Sequence, residues 1–567
     1  MEQEFLQSKR TREIAADALS GASRRSVLQG GLLAGGGLLL AACAGTSPSS
    51  TNSATGKPGG KTLVVAAPNT PLTGDLEGPT LGDVESQSTI LCCYDGLIEF
   101  KFKSSPDGHR EAIATEFEPR LAKSWTQTSP TTWQFELVQG VKSPYGNEFT
   151  SADIEYLWNV YTPGRKNIGA FFKTKIAKIA SVKAKGKYTV VFETDGPAPM
   201  FLQVMTTAWS RPFDTTELKK HQTAADPYGA KWLNRNAAGY GPYRITAWNP
   251  GSTFTIQRRT DYYGTAPYLD TVTWQQVPDP SNRLYLLLNG TVGAARALQY
   301  EDLRKVTASK KLQVQSAPGN FGLYLLLDYK VRPWNDVRMR QAVAYAIPYA
   351  QIISKVYSGY ATPLKSIEVP AYEGYSDEFW TYDTDLAKAK ALVAEAGAHG
   401  ATMKLSYTAT NPQHEQVAIA VQTSLAELGI TVTLDKMPPA AFTAAAVQGG
   451  LSAFLHNTYA WVVPTTTYDL LLSKMNTPND VVHYDSSAIQ QLATQLSGEL
   501  DTATRLAGEA EAQKIMDHDL PWIPICNEGQ HEAFSTELTN LSWVPHGVFL
   551  TEYLLPAHGS GTYLGAE

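Results

Sequence analysis

The chain has 567 residues, of which 43% are hydrophobic and 18% are charged, and its formal net charge is −6. This length exceeds what one hydrophobic core usually supports, so it predicts two or three domains, and the composition is that of an ordinary globular protein. Because phosphate binding needs a basic face, the negative charge argues against a nucleic acid as partner.

The segment from Ser23 to Cys43 has the layout of an export signal. Arg24 and Arg25 precede an uncharged run that closes with Leu-Ala-Ala-Cys43. The paired arginines resemble the signal of the twin-arginine export route, and the closing block resembles a bacterial lipobox, whose cysteine is lipidated. A transmembrane anchor is the alternative, but five glycines and a glutamine make the run only weakly hydrophobic. We therefore predict a signal peptide at residues 1–42 and a body anchored to the outer face of the cell membrane through Cys43.

Residues 43–60 are rich in Ser, Thr, Gly and Pro, which predicts a flexible tether. The remaining cysteines are Cys92, Cys93 and Cys526, too few for a disulfide framework, and buried free thiols are the favoured interpretation. No CxxC, HxH or HExxH spacing occurs, so we expect neither a metal site nor a cofactor.

The body begins with a β-rich run from Lys61 to Ala66, followed by a polar loop of the kind that often binds ligands. Period-2 alternation predicts strands at 132–138 and 188–193, and a helix begins at Thr150 or Ser151, with Asp153 at its positive end. Residues 284–298 are expected to form a helix that is interrupted at Asn289-Gly290.

Three helices are predicted in the second half of the chain. One spans 335–347 and should break at Pro348, and two others at 385–396 and 413–428 should end at Gly397 and Gly429. A strand follows at 430–435. Strands interleaved with helices favour a largely parallel α/β sheet.

Several blocks, in a fixed order, resemble one known family. They are Leu121-Ala-Lys-Ser-Trp125, Thr132-Trp-Gln-Phe-Glu-Leu137, Gly140-Val-Lys142, Thr150-Ser-Ala-Asp153, Gly239-Tyr-Gly-Pro-Tyr243, Trp248-Asn-Pro-Gly251, Asp261-Tyr-Tyr-Gly-Thr-Ala-Pro-Tyr-Leu-Asp270 and Asp336-Val-Arg-Met-Arg-Gln-Ala342. Together they resemble the extracellular solute-binding proteins of family 5, which are dipeptide, oligopeptide and nickel receptors of ATP-binding-cassette (ABC) importers. Gly290-Thr-Val-Gly departs from the family's usual Gly-Glu-Val-Asp, and Pro348 replaces its usual Asp.

The resemblance implies an α/β, two-lobed periplasmic-binding-protein-like fold (type II, large cluster C form) with an extra subdomain in the N-terminal lobe. It assigns 61–276 plus 521–567 to the N-terminal lobe, with the subdomain at about 97–200, and 277–520 to the C-terminal lobe. The lobes are expected to be joined near Thr273–Asp279 and Leu520–Ile525. The implied protein is not an enzyme: it captures a solute by hinge closure and delivers it to the permease subunits of an ABC importer.

The segment that holds the ligand's N-terminal amine in peptide-binding members departs from their pattern. Those members use an Asp in a Trp-x-x-Asp segment, whereas this chain has no Asp from Ala453 to Tyr468, and Trp461 stands about where that Asp would fall. Because a buried ammonium needs a carboxylate partner, a neutral ligand such as an oligosaccharide is favoured over a free-amine peptide, although both stay open. Asn457, Tyr459 and Trp461 supply amide and aromatic groups that suit a sugar.

Further candidate ligand-binding residues lie at a strand end that the resemblance directs to the cleft, in the first polar loop and among the aromatic residues, although each could also belong to a loop or to the core. They are Thr408, Thr410, Asn69, Thr73, Trp209 and Tyr94. We expect a monomer whose partners are the solute, the permease and the membrane. A secreted hydrolase is the alternative from another class, but no Gly-x-Ser-x-Gly elbow or zinc motif supports it; a signalling or chaperone-like protein on the same fold is a third hypothesis.

Overall fold

The computed structural model describes residues 62–77, 90–104, 110–165, 168–317, 319, 321–370, 372–409, 411–459, 482–539, 542–543 and 563–564. The predictions for the signal peptide, Cys43, the tether, Thr410 and Trp461 lie outside these residues, and so does the side chain of Tyr459. Within the described ranges, no helix combines the length and the apolarity needed to cross a membrane.

The first of two large sheets has seven strands. Their spatial order is Leu312–Ala317, Gln530–Ser535, Ala294–Ala295, Thr62–Ala67, Thr271–Gln276, Thr253–Arg258 and Tyr243–Asn249. Thr62–Ala67 runs parallel to both of its neighbours, and the other pairings are antiparallel. The carboxyl end of Thr62–Ala67 leads directly into the loop that carries Asn69 and Thr73.

The second large sheet has six strands. Their order is Thr362–Pro363, Trp522–Asn527, Phe321–Leu327, Ala453–Tyr459, Thr402–Thr408 and Thr431–Met437. Thr402–Thr408 is parallel to both neighbours, and the remaining pairs are antiparallel. The expectation of largely parallel sheets is therefore wrong. The first sheet has three parallel strands at its centre and the second has three parallel strands at one edge, and antiparallel strands extend both sheets.

Smaller, mostly antiparallel sheets occupy the segment expected to form an extra subdomain. Four strands pair in the order Ala122–Ser129, Thr132–Leu137, Thr189–Thr194 and Ile179–Ala184. Ile98–Ser104 pairs antiparallel with Arg110–Pro119, and the short strand Ser542–Trp543 runs parallel to Arg110–Pro119 on its other side. A further two-stranded pair joins Leu538–Thr539 to Tyr563–Leu564.

The helices lie between and around these strands. The described α-helices are Ser151–Tyr156, Thr162–Arg165, Ile168–Phe171, Phe201–Thr206, Thr215–Lys220, Ala230–Leu233, Pro280–Leu288, Tyr300–Thr307, Val337–Ala346, Tyr349–Gln351, Leu386–Glu395, Pro412–Ala426, Pro439–Val447, Ser487–Leu496 and Thr502–Asp519. Leu91–Cys93 and Ala208–Ser210 are 3₁₀ turns, and Leu157–Tyr161, Phe172–Ile176 and Ile352–Val356 are π-helical.

Each large sheet is covered by apolar side chains. In Phe321–Leu327, successive side chains point to opposite faces, so Leu323 and Leu325 join one buried cluster while Tyr324 and Leu326 join another. The second sheet is thus buried on both faces. Cys92, Cys93 and Cys526 are buried free thiols, as expected.

Local signals predicted most helix limits correctly. Thr150 and Asp153 form a capping box, the helix Val337–Ala346 ends before Pro348, and Gly397 and Gly429 have positive φ just after their helices. One helix differs at both limits. The helix expected at 284–298, with an interruption at Asn289-Gly290, begins at Pro280, capped by Asp279, and ends at Leu288, after which the chain forms a short strand.

The chain passes between the two large sheets at points other than those expected. Thr271–Gln276 lies inside the first sheet and Trp522–Asn527 inside the second; the chain leaves the first sheet after Ala317 and returns to it after Asn527. The extended conformation that Pro524 favours is present, but it is used within a strand, at an irregular register opposite Tyr324. The two crossings are tied together by a hydrogen bond from Asn527 Nδ2 to the Gly319 carbonyl oxygen (2.7 Å).

Candidate functional site

A cavity of about 520 Å³ lies at one edge of the second sheet. The parallel strands Thr402–Thr408 and Ala453–Tyr459 both end there, and ligands of α/β sheets commonly bind beyond the carboxyl ends of parallel strands. The lining residues are Thr408, Asn411, Pro412, Gln413, His414, Phe442, Leu455, His456 and Asn457.

The first turn of the helix Pro412–Ala426 forms one wall of the cavity. Asn411 caps it, since its Oδ1 accepts hydrogen bonds from the backbone N–H groups of Gln413 (3.0 Å) and His414 (3.2 Å). Pro412 occupies the first helical position, where its missing N–H has no cost. The sequence Asn-Pro-Gln-His therefore places the His414 side chain in the first turn, beside the strand ends.

His414 and Asn457 are joined across the cavity wall. The Nε2 atom of His414 is hydrogen-bonded to Oδ1 of Asn457, although 43 residues separate them. His414 is only 3% exposed, and burial lowers the pKa of its imidazole, against the smaller opposing effects of the Asn457 hydrogen bond and of Glu528. At neutral pH the ring is therefore uncharged, with a single N–H.

His456 lines the same cavity from the other face of the sheet. Its ring contacts those of Phe454 and Trp522, with centroids 6.2 Å apart in each case. Burial, and secondarily His414, lowers the pKa of His456 to about 4. Both histidines are thus neutral hydrogen-bonding groups at physiological pH.

The described part of the cavity wall carries no charged side chain. Among the described residues that line it, all polar groups are amides, a hydroxyl and the two imidazoles, while Phe442 and Leu455 are apolar. An ammonium or carboxylate group in this cavity would have no opposite charge on its described wall, and burying an unpaired charge is costly. The arrangement suits a neutral, hydrogen-bonding part of a ligand.

One contact connects this wall to the half of the molecule that carries the first sheet. The Nε2 atom of Gln413 donates a hydrogen bond to Oε1 of Gln299 (3.4 Å), and Gln299 immediately precedes the helix Tyr300–Thr307. The cavity therefore lies beside a junction of the two halves.

Two of the predicted site residues come together in this cavity: Thr408 and Asn457. Asn69 is exposed at the end of the strand Thr62–Ala67, but it is not part of the cavity lining. The backbone of Tyr459 ends the strand that carries Asn457.

The other three described candidates are buried inside the half that carries the first sheet. Thr73 is 1% exposed and its hydroxyl bonds Oδ1 of Asn234 (3.1 Å). The Tyr94 hydroxyl bonds the Gly74 carbonyl oxygen (3.0 Å), and Trp209 stacks on Phe172 with centroids 4.8 Å apart. Because these contacts fix them in the interior, they are not part of the site proposed below.

Seven of the nine lining residues were not predicted as site residues from the sequence: Asn411, Pro412, Gln413, His414, Phe442, Leu455 and His456. His414 carried a usable signal, since it stands in the first turn after an Asn-Pro cap that follows a strand. His456 alternates with Phe454 in an apolar strand, a pattern that is equally typical of a core residue. Phe442 comes from the separate helix Pro439–Val447, so only the tertiary structure brings it to the cavity.

Comparison with known proteins gives a consistent result. The family model of the bacterial extracellular solute-binding proteins, family 5 Middle, matches residues 116–479. The probable D,D-dipeptide-binding periplasmic protein DdpA of Escherichia coli (strain K12) is 24% identical over 456 residues, which cover 80% of this chain and 86% of DdpA. The glutathione-binding protein GsiB of Shigella dysenteriae serotype 1 is 24% identical over 490 residues, covering 83% of this chain and 90% of GsiB.

Among solved structures, the periplasmic binding protein DppA from Helicobacter pylori, in complex with the peptide STSA, superposes with a TM-score of 0.73 at 23% identity. The superposition covers 89% of this chain and 98% of DppA. The fold is thus the two-lobed α/β fold of the periplasmic binding proteins. Together with the match of the family model to well over half of the chain, this establishes that the chain belongs to the bacterial extracellular solute-binding proteins of family 5.

Proposed function

We propose that this protein is the receptor of an ABC importer, which captures a short peptide between its two lobes and delivers it to a permease. The observation that carries the proposal is the cavity at the carboxyl ends of two parallel strands, beside the junction of the two halves, whose described wall is uncharged. The named ligands of the relatives, a D,D-dipeptide, glutathione and the peptide STSA, support a peptide as the ligand class.

An oligosaccharide is the second candidate ligand. It is favoured by the uncharged wall and by the absence of an Asp between Ala453 and Tyr468, because a free-amine peptide would lack the carboxylate partner expected there. A peptide whose N-terminal amine lies outside this part of the cleft does not need a carboxylate partner here either. We therefore rank the peptide first.

We also propose lobe limits that differ from those expected. One lobe comprises 62–317 with 530–567, and the other comprises 321–527, joined by the two crossings. A Cβ atom on Gly319 would lie 3.1 Å from the carbonyl carbon of Gly529, so the two connections pass in close contact. Small residues in short connections suit a hinge about which the lobes close on the ligand.

Export and lipid anchoring at Cys43 complete the proposal. They rest on the sequence from Ser23 to Cys43, and family members are extracellular solute-binding proteins by description. An anchored receptor stays close to its permease while its binding lobes remain in the aqueous phase.

Native mass spectrometry of the protein purified from its own host tests the proposed function. A co-purifying mass that disappears on denaturation, and that fragments as a peptide, is the expected result. Fragments that differ by the mass of a hexose would instead identify the ligand as an oligosaccharide. If neither a native adduct nor a calorimetric screen of peptides and oligosaccharides yields a ligand, the receptor proposal is wrong. Turnover of a bound peptide would instead support the hydrolase hypothesis.

A further inference from the structure

The bonded pair of His414 and Asn457 leaves two polar atoms unused. His414 Nδ1 and Asn457 Nδ2 are both closed to water, and neither has a hydrogen-bond partner within the part of the chain that the structure describes. Buried polar groups are paired in the great majority of cases, so two unpaired atoms in one bonded pair call for an explanation.

The chemistry of the unused atoms does not depend on how the amide and the ring are oriented. As placed, His414 donates from Nε2 to Asn457 Oδ1, which leaves one acceptor at Nδ1 and one amide donor at Nδ2. If the amide is rotated by 180°, Asn457 donates to Nε2, which leaves a ring N–H donor and an amide oxygen acceptor. A neutral His414 therefore always leaves at least one donor and one acceptor.

Another histidine of the same molecule shows how such a ring is normally satisfied. In His531, Nδ1 is hydrogen-bonded to Oγ of Ser316 (2.8 Å) and Nε2 to the carbonyl oxygen of Glu528 (3.0 Å). Both nitrogens of His531 thus have protein partners, whereas one nitrogen of His414 has none. Since an unpaired buried donor or acceptor destabilises the folded state, the pair of His414 and Asn457 is not optimised for stability.

We propose that His414 and Asn457 form a subsite that recognises an uncharged amide group of the ligand through one donated and one accepted hydrogen bond. This inference rests on the proposed function and specifies the ligand group at that site. A peptide bond or a carboxamide offers one C=O and an N–H, which match the unused donor and acceptor. An ammonium group has only donors and a carboxylate only acceptors, so neither matches the pair.

Entry of the ligand requires a small rearrangement of the cavity wall. Both unused atoms are closed to water in this structure, but Asn457 is partly exposed and lies at the carboxyl end of its strand. A small shift of the Asn457 end of the pair, with the bond to His414 kept, would expose the two atoms to the cavity. The amide of the ligand then replaces the missing partners, so that the pair becomes satisfied only in the complex.

The first experiment needs no variant. Tetra-alanine and three analogues, in each of which one peptide bond is replaced by an ester, are titrated into the full-length protein by calorimetry. An ester keeps the carbonyl and loses the N–H. We expect one of the three replacements to weaken binding at least tenfold and the other two to have smaller effects. If all three esters bind as tightly as tetra-alanine, no peptide N–H is recognised and the subsite is refuted, while the proposed function stands.

The second experiment uses the double variant His414→Phe with Asn457→Leu, which replaces both partners with apolar groups of similar size. We expect the ligand-free variant to melt at the same temperature as the wild type or higher, because the unpaired atoms are gone. Its affinity for tetra-alanine should fall at least tenfold, and it should not discriminate against the sensitive ester. His531→Phe is the matched control, which should lower the melting temperature because it leaves Ser316 and the Glu528 carbonyl unpaired.

The two experiments separate the failure of this inference from that of the proposed function. A double variant that is destabilised as much as His531→Phe, with unchanged binding, would show that the pair is structural. If the wild type binds neither tetra-alanine nor a mixture of random tripeptides, the peptide function itself is refuted, and the amide subsite with it. Binding of maltotetraose instead would assign the unused donor and acceptor to sugar hydroxyl groups and overturn the amide inference.

Discussion

Asp517 shows how burial alone can change the chemistry of a residue in this protein. Its side chain is 2% exposed on the helix Thr502–Asp519, and no residue that the structure describes bonds its Oδ2 atom. Burial raises the pKa of the Asp517 carboxyl to about 8. The folded protein therefore binds a proton here at pH values at which the unfolded chain, with an ordinary pKa of 3.8, has released it.

The variant Asp517→Asn tests the raised pKa of the Asp517 carboxyl. Between pH 4 and pH 8 the folded state holds more protons than the unfolded state, so the free energy of unfolding of the wild type falls as the pH rises. Asn stays neutral, and its stability advantage over the wild type should grow from pH 5 to pH 8 by up to about 4 kcal/mol, since each pH unit counts for about 1.4 kcal/mol. Urea unfolding of the variant and the wild type at pH 5 and pH 8 measures the difference in their free energies of unfolding. A difference that is constant with pH would contradict the raised pKa.

Trp461 is predicted from the sequence to line the cleft, and it lies outside the described residues. If its ring lines the cleft, Trp461→Ala should weaken ligand binding with little change in melting temperature. Calorimetric titration and a thermal melt of the same preparation check this. If Trp461→Ala lowers both the ligand affinity and the melting temperature, Trp461 belongs to the core. Trp274, which is buried in the first sheet, provides the control for that second behaviour.

At the scale of an element, the helix Pro412–Ala426 positions the proposed subsite. Asn411 satisfies two backbone N–H groups of its first turn, one of which belongs to His414. Loss of this cap in Asn411→Ala should lower the free energy of unfolding by about 0.5–2 kcal/mol and reduce ligand affinity, because His414 is no longer held in place. Asn411→Ser keeps a capping hydroxyl and should retain most of the stability and most of the ligand affinity. Urea unfolding and calorimetric titration of the two variants provide the comparison; equal behaviour of Ala and Ser would rule out the cap as the cause.

At the scale of the whole molecule, Lys178 connects the two halves at a point distant in sequence from the crossings. Its Nζ donates hydrogen bonds to the carbonyl oxygens of Pro197 (3.2 Å) and Ser497 (2.6 Å). Ser497 is the capping residue after the helix Ser487–Leu496, whose carboxyl end attracts a positive charge. The contact therefore stabilises the arrangement in which the four-stranded sheet of one half touches the other half.

The variant Lys178→Met keeps the length of the side chain and removes its charge and donors. If the lobes close on the ligand, the variant should favour the open arrangement, with a larger radius of gyration by X-ray scattering and ligand affinity about 2–10-fold weaker. Lys175→Met, at a nearby exposed lysine, is the control and should match the wild type. If scattering and affinity of Lys178→Met also match the wild type, the contact has no role in closure.

Local physics made much of this molecule predictable from sequence. The capping box of Thr150 and Asp153, the helix end before Pro348 and the positive φ of Gly397 and Gly429 depend on residues within a few positions of one another. Family membership was predictable for a related reason, since it rests on short blocks in a fixed order. Asn457 and Thr408 were identified as candidates because the resemblance to the family directs their segments to the cleft.

Only the tertiary structure decided where the chain crosses between the sheets and which side chains meet at the site. The crossings after Ala317 and after Asn527 follow from strand order, which hydrophobic alternation does not encode. The same alternation does not distinguish Tyr94 and Trp209, which are buried, from aromatic residues that line a cleft. His414 and Asn457 lie 43 residues apart and meet because a parallel pairing brings two strand ends to one edge of the sheet. Sequence thus determined the elements and the family, and long-range packing determined the site.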